Sequence, residues 1–341
     1  MKPLIALTIG DFNGVGPEVV LRAIAEPDIN AICRPVLVGP IEIWQETANS
    51  YIPAANLVQI DDPKLLDDDY SGIPVLHIDG YTIKDLSPGR PSRKGGLAAV
   101  DAVKLSLDVC QQEHVHAMVT SPVSKESINL AGHSYVGHTD MLMDFTNTES
   151  VTMMMVAGSF RVGLVTIHVP IKSVADAITE REFMLKTKTA INSLKNDFNI
   201  IDPRVAILGL NPHAGESGLL GDEEKEIITP TIKRLAKEDY VVEGPFPADG
   251  FFGAKLHHNF DLVMAMYHDQ GLIPLKLEGF EFGVNFTAGL PVIRTSPDHG
   301  TAYNIVGRGI ANLSSITEAI KLAVSIAHNR ASKSKSKVNK K

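Results

Sequence analysis

Leu4-Ile5-Ala6-Leu7-Thr8-Ile9 runs directly into Gly10-Asp11-Phe12-Asn13-Gly14-Val15-Gly16-Pro17-Glu18. An apolar run of this length, closed by glycine, reads as a strand buried on both faces, the kind that builds parallel sheets. The pattern recurs at residues 35–38, 117–120, 162–167, 205–210 and 262–266, each bounded by Gly, Pro or charge. Between these runs lie stretches with helical spacing. Residues 96–112 place Val100, Val103, Leu107 and Cys110 on one face. Residues 182–198, 223–237 and 315–328 are similar; in the second, Asp222 is the prospective cap and Pro230 marks a kink or a short first helix. Strand and helix in alternation predict an α/β fold with a largely parallel sheet. At 341 residues the chain exceeds one ordinary domain, so two subdomains flanking a cleft are expected.

Composition narrows the class. A chain with 44% hydrophobic and 21% charged residues is globular rather than mostly disordered. The formal charge is −8, although Lys333, Lys335, Lys337, Lys340 and Lys341 crowd into residues 331–341. The remainder is therefore more acidic still, a poor match for nucleic acid, and an anionic ligand would need local cations or a metal. The segment 331–341 itself reads as a disordered basic tail. Two cysteines, Cys33 and Cys110, make no disulfide framework and read as small core residues. No run is long enough for a membrane span or a secretory leader, so a cytoplasmic protein without membrane partners is expected.

In parallel sheets, ligands bind beyond the carboxyl ends of the strands. Five of the apolar runs lead into polar clusters there: the glycine cluster above, Ser121-Pro122-Val123-Ser124-Lys125, His168, Asn211-Pro212-His213-Ala214-Gly215-Glu216, and Tyr267-His268-Asp269-Gln270-Gly271. Singly, each histidine reads as an ordinary hydrogen-bonded side chain. Together, His168, His213 and His268 share a position suited to a divalent cation with an open coordination site. Asp269 would then orient a ligand, or else close a turn. The glycine spacing G-x-x-x-G-x-G matches neither a dinucleotide-binding turn nor a P-loop, and serves equally to permit a tight strand-to-helix turn. Gly215-Glu216-Ser217-Gly218-Leu219 lacks the last glycine of a nucleophile elbow. Gly137-His138-Thr139-Asp140, Lys276, Asn285 and Arg294 are the groups fit to hold phosphate or carboxylate.

Seven blocks in order carry a resemblance: TIGDFNGVGPE, GHTD, IHVPI, GLNPHAGE, MYHDQGLIPLK, GVNFTAGLPVIRTS and DHGTAYNIVGRG. Over about residues 4–328 the chain resembles the 4-hydroxythreonine-4-phosphate dehydrogenase family of vitamin B6 biosynthesis. The resemblance implies an α/β/α fold of two subdomains like the isocitrate and isopropylmalate dehydrogenases. Residues 1–125 with 285–330 would form a terminal subdomain with the cofactor loop, and 126–284 a central one with the metal ligands and dimer interface. It further implies a homodimer with a shared active site and one divalent metal (Zn, Mg or Co) on His168, His213 and His268. Substrate contacts would fall on His138, Thr139, Lys276, Asn285 and Arg294, with Lys276 and Asp269 as catalytic groups. NAD or NADP would lie on His299, Gly300, Thr301 and Asn304. The chain departs from the family pattern at Asp11-Phe12-Asn13, where Asp-Pro-Ala is commoner, at Ser121-Pro122, where Gly-Pro is usual, and at Val306, where alanine is usual.

The implied reaction oxidises C3 of a phosphorylated hydroxy amino acid, and the resulting β-keto acid loses CO₂. A paralogous branch acts on 4-phosphothreonate or 4-phosphoerythronate. Two further possibilities are a non-catalytic metabolite-binding protein on the same fold and an acyltransferase of the phosphate-acetyltransferase fold, which would need no metal triad.

Overall fold

The computed structural model describes residues 2–67, 71–279 and 281–338. Among these residues the strands are β1 (Leu4–Thr8), β2 (Arg34–Val38), β3 (Leu57–Ile60), β4 (Ile73–Leu76), β5 (Ala117–Val119), β6 (Thr152–Ala157), β7 (Phe160–Leu164), β8 (Arg204–Leu208), β9 (Val241–Phe246), β10 (Leu262–Ala265), β11 (Val284–Ala288) and β12 (Arg294–Pro297). The chain divides into two compact units at Asn147/Thr148 and at Gly289/Leu290.

The first unit contains both ends of the chain. Its strands lie in the order β3-β4-β2-β1-β5-β12, every pair parallel. All five residues of β1 are buried, as its unbroken apolar run requires. β12 reads Arg-Thr-Ser-Pro, which carries no strand signal; it is nevertheless buried. Its partner strand β5 and the helix Ser314–Val338 account for that, with Thr295 Oγ1 donating to the carbonyl of Ala319 at 2.8 Å. The helix Arg93–Gln111 starts at Ser92, whose Oγ accepts from the Gly95 N–H, and buries Val100, Val103 and Leu107. Each such side chain contributes about 1.5–3 kcal/mol when fully buried.

The boundary expected near residue 125 moves to 147. The reason is local: a Cβ on Gly96 would sit 2.0 Å from the carbonyl oxygen of Ser127, so the helix Lys125–Leu130 presses on the backbone of helix Arg93–Gln111. Lys104 also lies over the Phe145 ring at 5.1 Å. His138 and Thr139 therefore belong to the first unit, not the central one.

The second unit has the order β11-β6-β7-β10-β8-β9, with β7, β10, β8 and β9 parallel and β6 antiparallel to both neighbours. β6 and β7 form a hairpin in which Gly158, at φ +59°, opens a two-residue turn that a side chain would resist. Alternate residues of the strands (Met153, Met155; Val162, Leu164; Ala206, Leu208; Val263, Ala265) pack on Leu272 and Leu275 of the helix His268–Gly279. The stretch 223–237 resolves into a π turn, Glu224–Ile228, followed by the helix Thr229–Lys237. Pro230 falls in its first turn, where a missing N–H costs least. Asp222 does not cap by its side chain; its carbonyl accepts the Glu226 N–H at 2.8 Å.

The tail departs from expectation. Helix Ser314–Val338 continues through most of it, and residues 339–341 lie outside the described residues. Buried Ile316, Ile320, Ala323 and Ile326 anchor the helix, after which each further turn needs no new nucleus. Among the described residues, no helix is long and apolar enough to cross a membrane.

Candidate functional site

In the second unit β7, β10 and β8 lie side by side and parallel, so their carboxyl ends open at one edge. The β7/β10 ladder continues past the strands: Thr166 N–H and Oγ1 both donate to the carbonyl of Met266, at 3.1 and 2.7 Å. Two residues beyond this rung on each chain stand His168 and His268. The shared register brings their rings to a centroid separation of 6.0 Å. His268 Nδ1 bonds Asp269 Oδ1 at 2.7 Å. With the proton on Nδ1, Nε2 keeps its lone pair, the arrangement a metal-ligating histidine needs. His168, His268 and Asp269 line a cavity of about 220 Å³ with Ile167, Val169 and Tyr267.

His213 follows β8, the strand beyond β10. Gln270 joins the two strand ends: its Oε1 accepts the Met266 N–H at 2.7 Å and its Nε2 donates to the Gly209 carbonyl at 2.6 Å. His213 begins a run of positive φ, from +53° at His213 through Ala214, Gly215 and Glu216 to +59° at Ser217. A left-handed turn costs a non-glycine residue roughly 1–2 kcal/mol, so this segment is held, not relaxed. The same geometry removes Ser217 from any strand-to-helix elbow.

His213 is not among the residues lining that cavity. Among the described residues, the one group of three metal-ligating side chains with ligand atoms all within 4.8 Å is elsewhere: His257, His258 and Glu278. His257 is buried and its Nε2 meets Glu278 Oε1 at 2.6 Å, while His258 Nε2 is 3.7 Å from the same oxygen. The structure thus pairs His168 with His268 and sets His213 on the loop of the neighbouring strand. Lys276 lies eight residues, about 12 Å of helix rise, beyond His268. Asn285 stands in β11, half-buried, opposite Met155.

The first unit carries the second group. Arg294 opens β12 at 2% exposure. Its Nε and Nη2 donate to Thr120 Oγ1 at 3.0 and 2.7 Å. Burial draws its pKa down to about 9, so the guanidinium is still charged at neutral pH. His138 starts the helix His138–Thr146, with Thr139 next to it. Burial, and secondly the charge of Arg294, hold the His138 pKa well below 6.5. Its Nε2 is shut off from solvent without a hydrogen-bond partner. A neutral imidazole still carries one N–H, so His138 and the buried guanidinium can each donate to an anion.

The depressed His138 pKa has a consequence for stability. Below about pH 6.5 the unfolded chain takes up a proton that the folded chain refuses, so stability falls as pH drops from there. Urea midpoints measured from pH 7 to pH 5 are expected to fall less steeply in His138→Asn. Parallel slopes would show that other groups set the acid limit.

The loop that follows β12 is knitted to the first glycine cluster. Thr301 carbonyl accepts the Val15 N–H at 2.9 Å, and Tyr303 Oη donates to Asp11 Oδ2 at 2.6 Å. A Cβ on Gly14 would lie 2.8 Å from the Thr301 oxygen, so this glycine serves the close approach of two loops. Asn13, one of the departures from the family pattern, binds Asp11, Ser87 and Ser92. His299 Nδ1 meets its neighbour's carbonyl at 3.0 Å and its Nε2 is buried without a partner; Gly300 faces open space and Asn304 is exposed. Open backbone beside an unsatisfied imidazole fits an adenosine. Asn13, Tyr303, Gln270 and Glu224 had no assigned role in the sequence, because only the fold reveals what each one binds.

An α/β chain with histidines at the ends of neighbouring parallel strands and a buried arginine at the start of another has the polar groups of an enzyme site. The chain matches the family model "Pyridoxal phosphate biosynthetic protein PdxA" over residues 31–323. It belongs to that family. It is 39% identical over 325 residues to a 4-hydroxythreonine-4-phosphate dehydrogenase of Desulforapulum autotrophicum, covering 94% of this chain and 95% of that protein. It is also 39% identical over 332 residues to a D-threonate 4-phosphate dehydrogenase of Cupriavidus necator, covering 96% and 98%. The solved 4-hydroxythreonine-4-phosphate dehydrogenase of Klebsiella pneumoniae superposes with a TM-score of 0.84 at 36% identity, covering 96% and 98%.

Proposed function

We propose that the chain oxidises 4-(phosphooxy)-L-threonine at C3 with NAD⁺ or NADP⁺. The 2-amino-3-oxo acid so formed loses CO₂ to leave 3-amino-2-oxopropyl phosphate, in pyridoxal phosphate biosynthesis. The observation that carries this reading is the in-register emergence of His168 and His268 in a chain of this family. His168, His213 and His268 hold a divalent cation in this reading, with one ligand drawn from a second copy of the chain. Their all-imidazole donor set suits zinc or cobalt, with an open position left for substrate. When bound, the cation supplies Lewis acidity that eases loss of the hydroxyl proton, and the nicotinamide takes the hydride.

The chain's own groups do the rest. Asp269 fixes the tautomer of His268. Arg294, with His138 and Thr139, binds an anionic end of the substrate by charge-assisted bonds. Asn285 orients the substrate, and Lys276 holds phosphate or carries a proton. His299, Gly300, Thr301 and Asn304 receive the adenosine. The equal identity to the Cupriavidus enzyme favours one second reading, oxidation of D-threonate 4-phosphate, which has a hydroxyl where the first substrate has an amine. Absorbance of the reduced nucleotide, followed with both substrates and both nucleotides before and after chelation, decides between them. Turnover of neither substrate, or full turnover after complete chelation, ends the proposal.

The compact cluster at His257, His258 and Glu278 is the competing metal locus. Metal analysis is expected to show loss of bound zinc in His213→Ala and none in His258→Ala. The reverse would move the metal to the cluster. The homodimer is supported by the helix that starts at His268, which exposes Ile273 at 60% and Leu277 at 83%. Replacing both by aspartate is expected to give monomers in light scattering and to abolish turnover; a dimer with full activity would exclude this helix from the interface.

A further inference from the structure

We propose that Glu224 is a positioning residue for His213, holding the left-handed turn that presents this histidine for metal binding. The inference rests on the metal reading above. Glu224 opens the π turn that precedes helix Thr229–Lys237, and it is 4% exposed. A carboxylate in such a place needs donors, and it finds them in the residues just ahead of His213. Oε1 accepts the N–H groups of Leu210 and Asn211 at 2.7 and 2.8 Å. Oε2 accepts Asn211 Nδ2 at 2.9 Å.

The surrounding sequence is cut to fit this carboxylate. A Cβ on Gly215 would stand 2.7 Å from Oε2, and one on Gly209 would stand 3.1 Å from Oε1 and 2.9 Å from Ala214 Cα. Gly209 is also the residue whose carbonyl Gln270 ties to the end of β10. The carboxylate therefore grips the strand end at Leu210–Asn211, and the turn leaves it at once through His213 at φ +53°. Without the grip, the N–H groups of Leu210 and Asn211 lose their acceptor and the strained turn loses its anchor. Glutamine holds the turn less well: its single oxygen keeps the two backbone donors only by neutral hydrogen bonds, and its NH₂ group faces Asn211 Nδ2, which also donates to Glu223 Oε2 at 2.6 Å. A group that holds a ligand's backbone acts on metal affinity as outer-shell partners do, by about 10–100-fold.

The test is competition for zinc against a chromophoric chelator, using the full-length protein, with His213→Ala defining the share of zinc held by the histidine set. Glu224→Gln is expected to weaken that share by about 10–100-fold, with turnover recovering when zinc is supplied in excess. Glu226→Gln, an exposed carboxylate on the same turn, is expected to bind zinc as the wild type does. Glu224→Asp, which keeps the charge on a shorter arm, is expected to fall between and serves if the glutamine variant does not fold. Zinc affinity in Glu224→Gln or Glu224→Asp equal to wild type overturns the positioning role, even if the melting temperature drops. Equal zinc binding by wild type and His213→Ala is a different result, since it removes the metal reading itself.

Discussion

Replacing His268 by alanine is expected to lower kcat by about 10²–10³-fold, the scale on which removal of one electrostatic stabiliser acts. The unfolding midpoint is expected to stay close to that of wild type. The separation of the two effects follows from the side chain's setting. His268 is 36% exposed and its bonded partner Asp269 is 68% exposed. A pair this open to water carries about 0–1 kcal/mol of stability. Its ring is nonetheless aligned with that of His168 by two strands in register, so its loss removes half of the pair that the structure sets 6.0 Å apart. Asp269→Asn leaves the ring in place and is expected to weaken metal binding by about 10–100-fold. Steady-state kinetics, metal content and chemical denaturation on the same preparations check all three. Wild-type kcat in His268→Ala would refute the role; a collapse in stability would show that the ring serves the fold instead.

Arg294→Ala is expected to raise KM for the phosphorylated substrate roughly 10–150-fold, the loss of charge-assisted bonds of about 1.5–3 kcal/mol. The guanidinium is already stripped of water and held by Thr120 Oγ1, so it meets an anion with little reorganisation. Arg294→Lys keeps the charge without the planar fork and is expected to recover only part of the loss. The variant also removes a large buried side chain and is expected to lower stability. Ligand-induced stabilisation therefore separates binding from folding. Adding substrate at about 100 times its dissociation constant is expected to stabilise the wild type by about 2.7 kcal/mol, and Arg294→Ala far less at the same concentration. Equal stabilisation of both proteins would leave Arg294 a structural residue.

The fold was legible where burial and periodicity agree. The runs around β1, β2, β5, β7, β8 and β10 are apolar and short, and each became a strand within a few residues of its expected limits. β12 was invisible because its Arg-Thr-Ser-Pro sequence owes its burial to neighbours far along the chain. β9 was missed because it is an edge strand whose residues are half-buried or exposed, so no inward face is written into it. The boundary error near residue 125 has the same origin: nothing local in Lys125–Leu130 announces that Gly96 will admit it.

The sequence alone determined the α/β class, the family, and the three strand ends that bear histidine, since these follow from local apolar patterning and from motifs read in order. Only the tertiary structure decided that His168 and His268 emerge together beyond a shared rung, that His138 lies under the influence of Arg294, and that Glu224 grips the turn ahead of His213. The physical reason is distance along the chain. Register between parallel strands, the desolvation of a charge and the donors that reach a carboxylate are set by residues from 13 to 100 or more positions apart, and local patterning does not say which of them will meet.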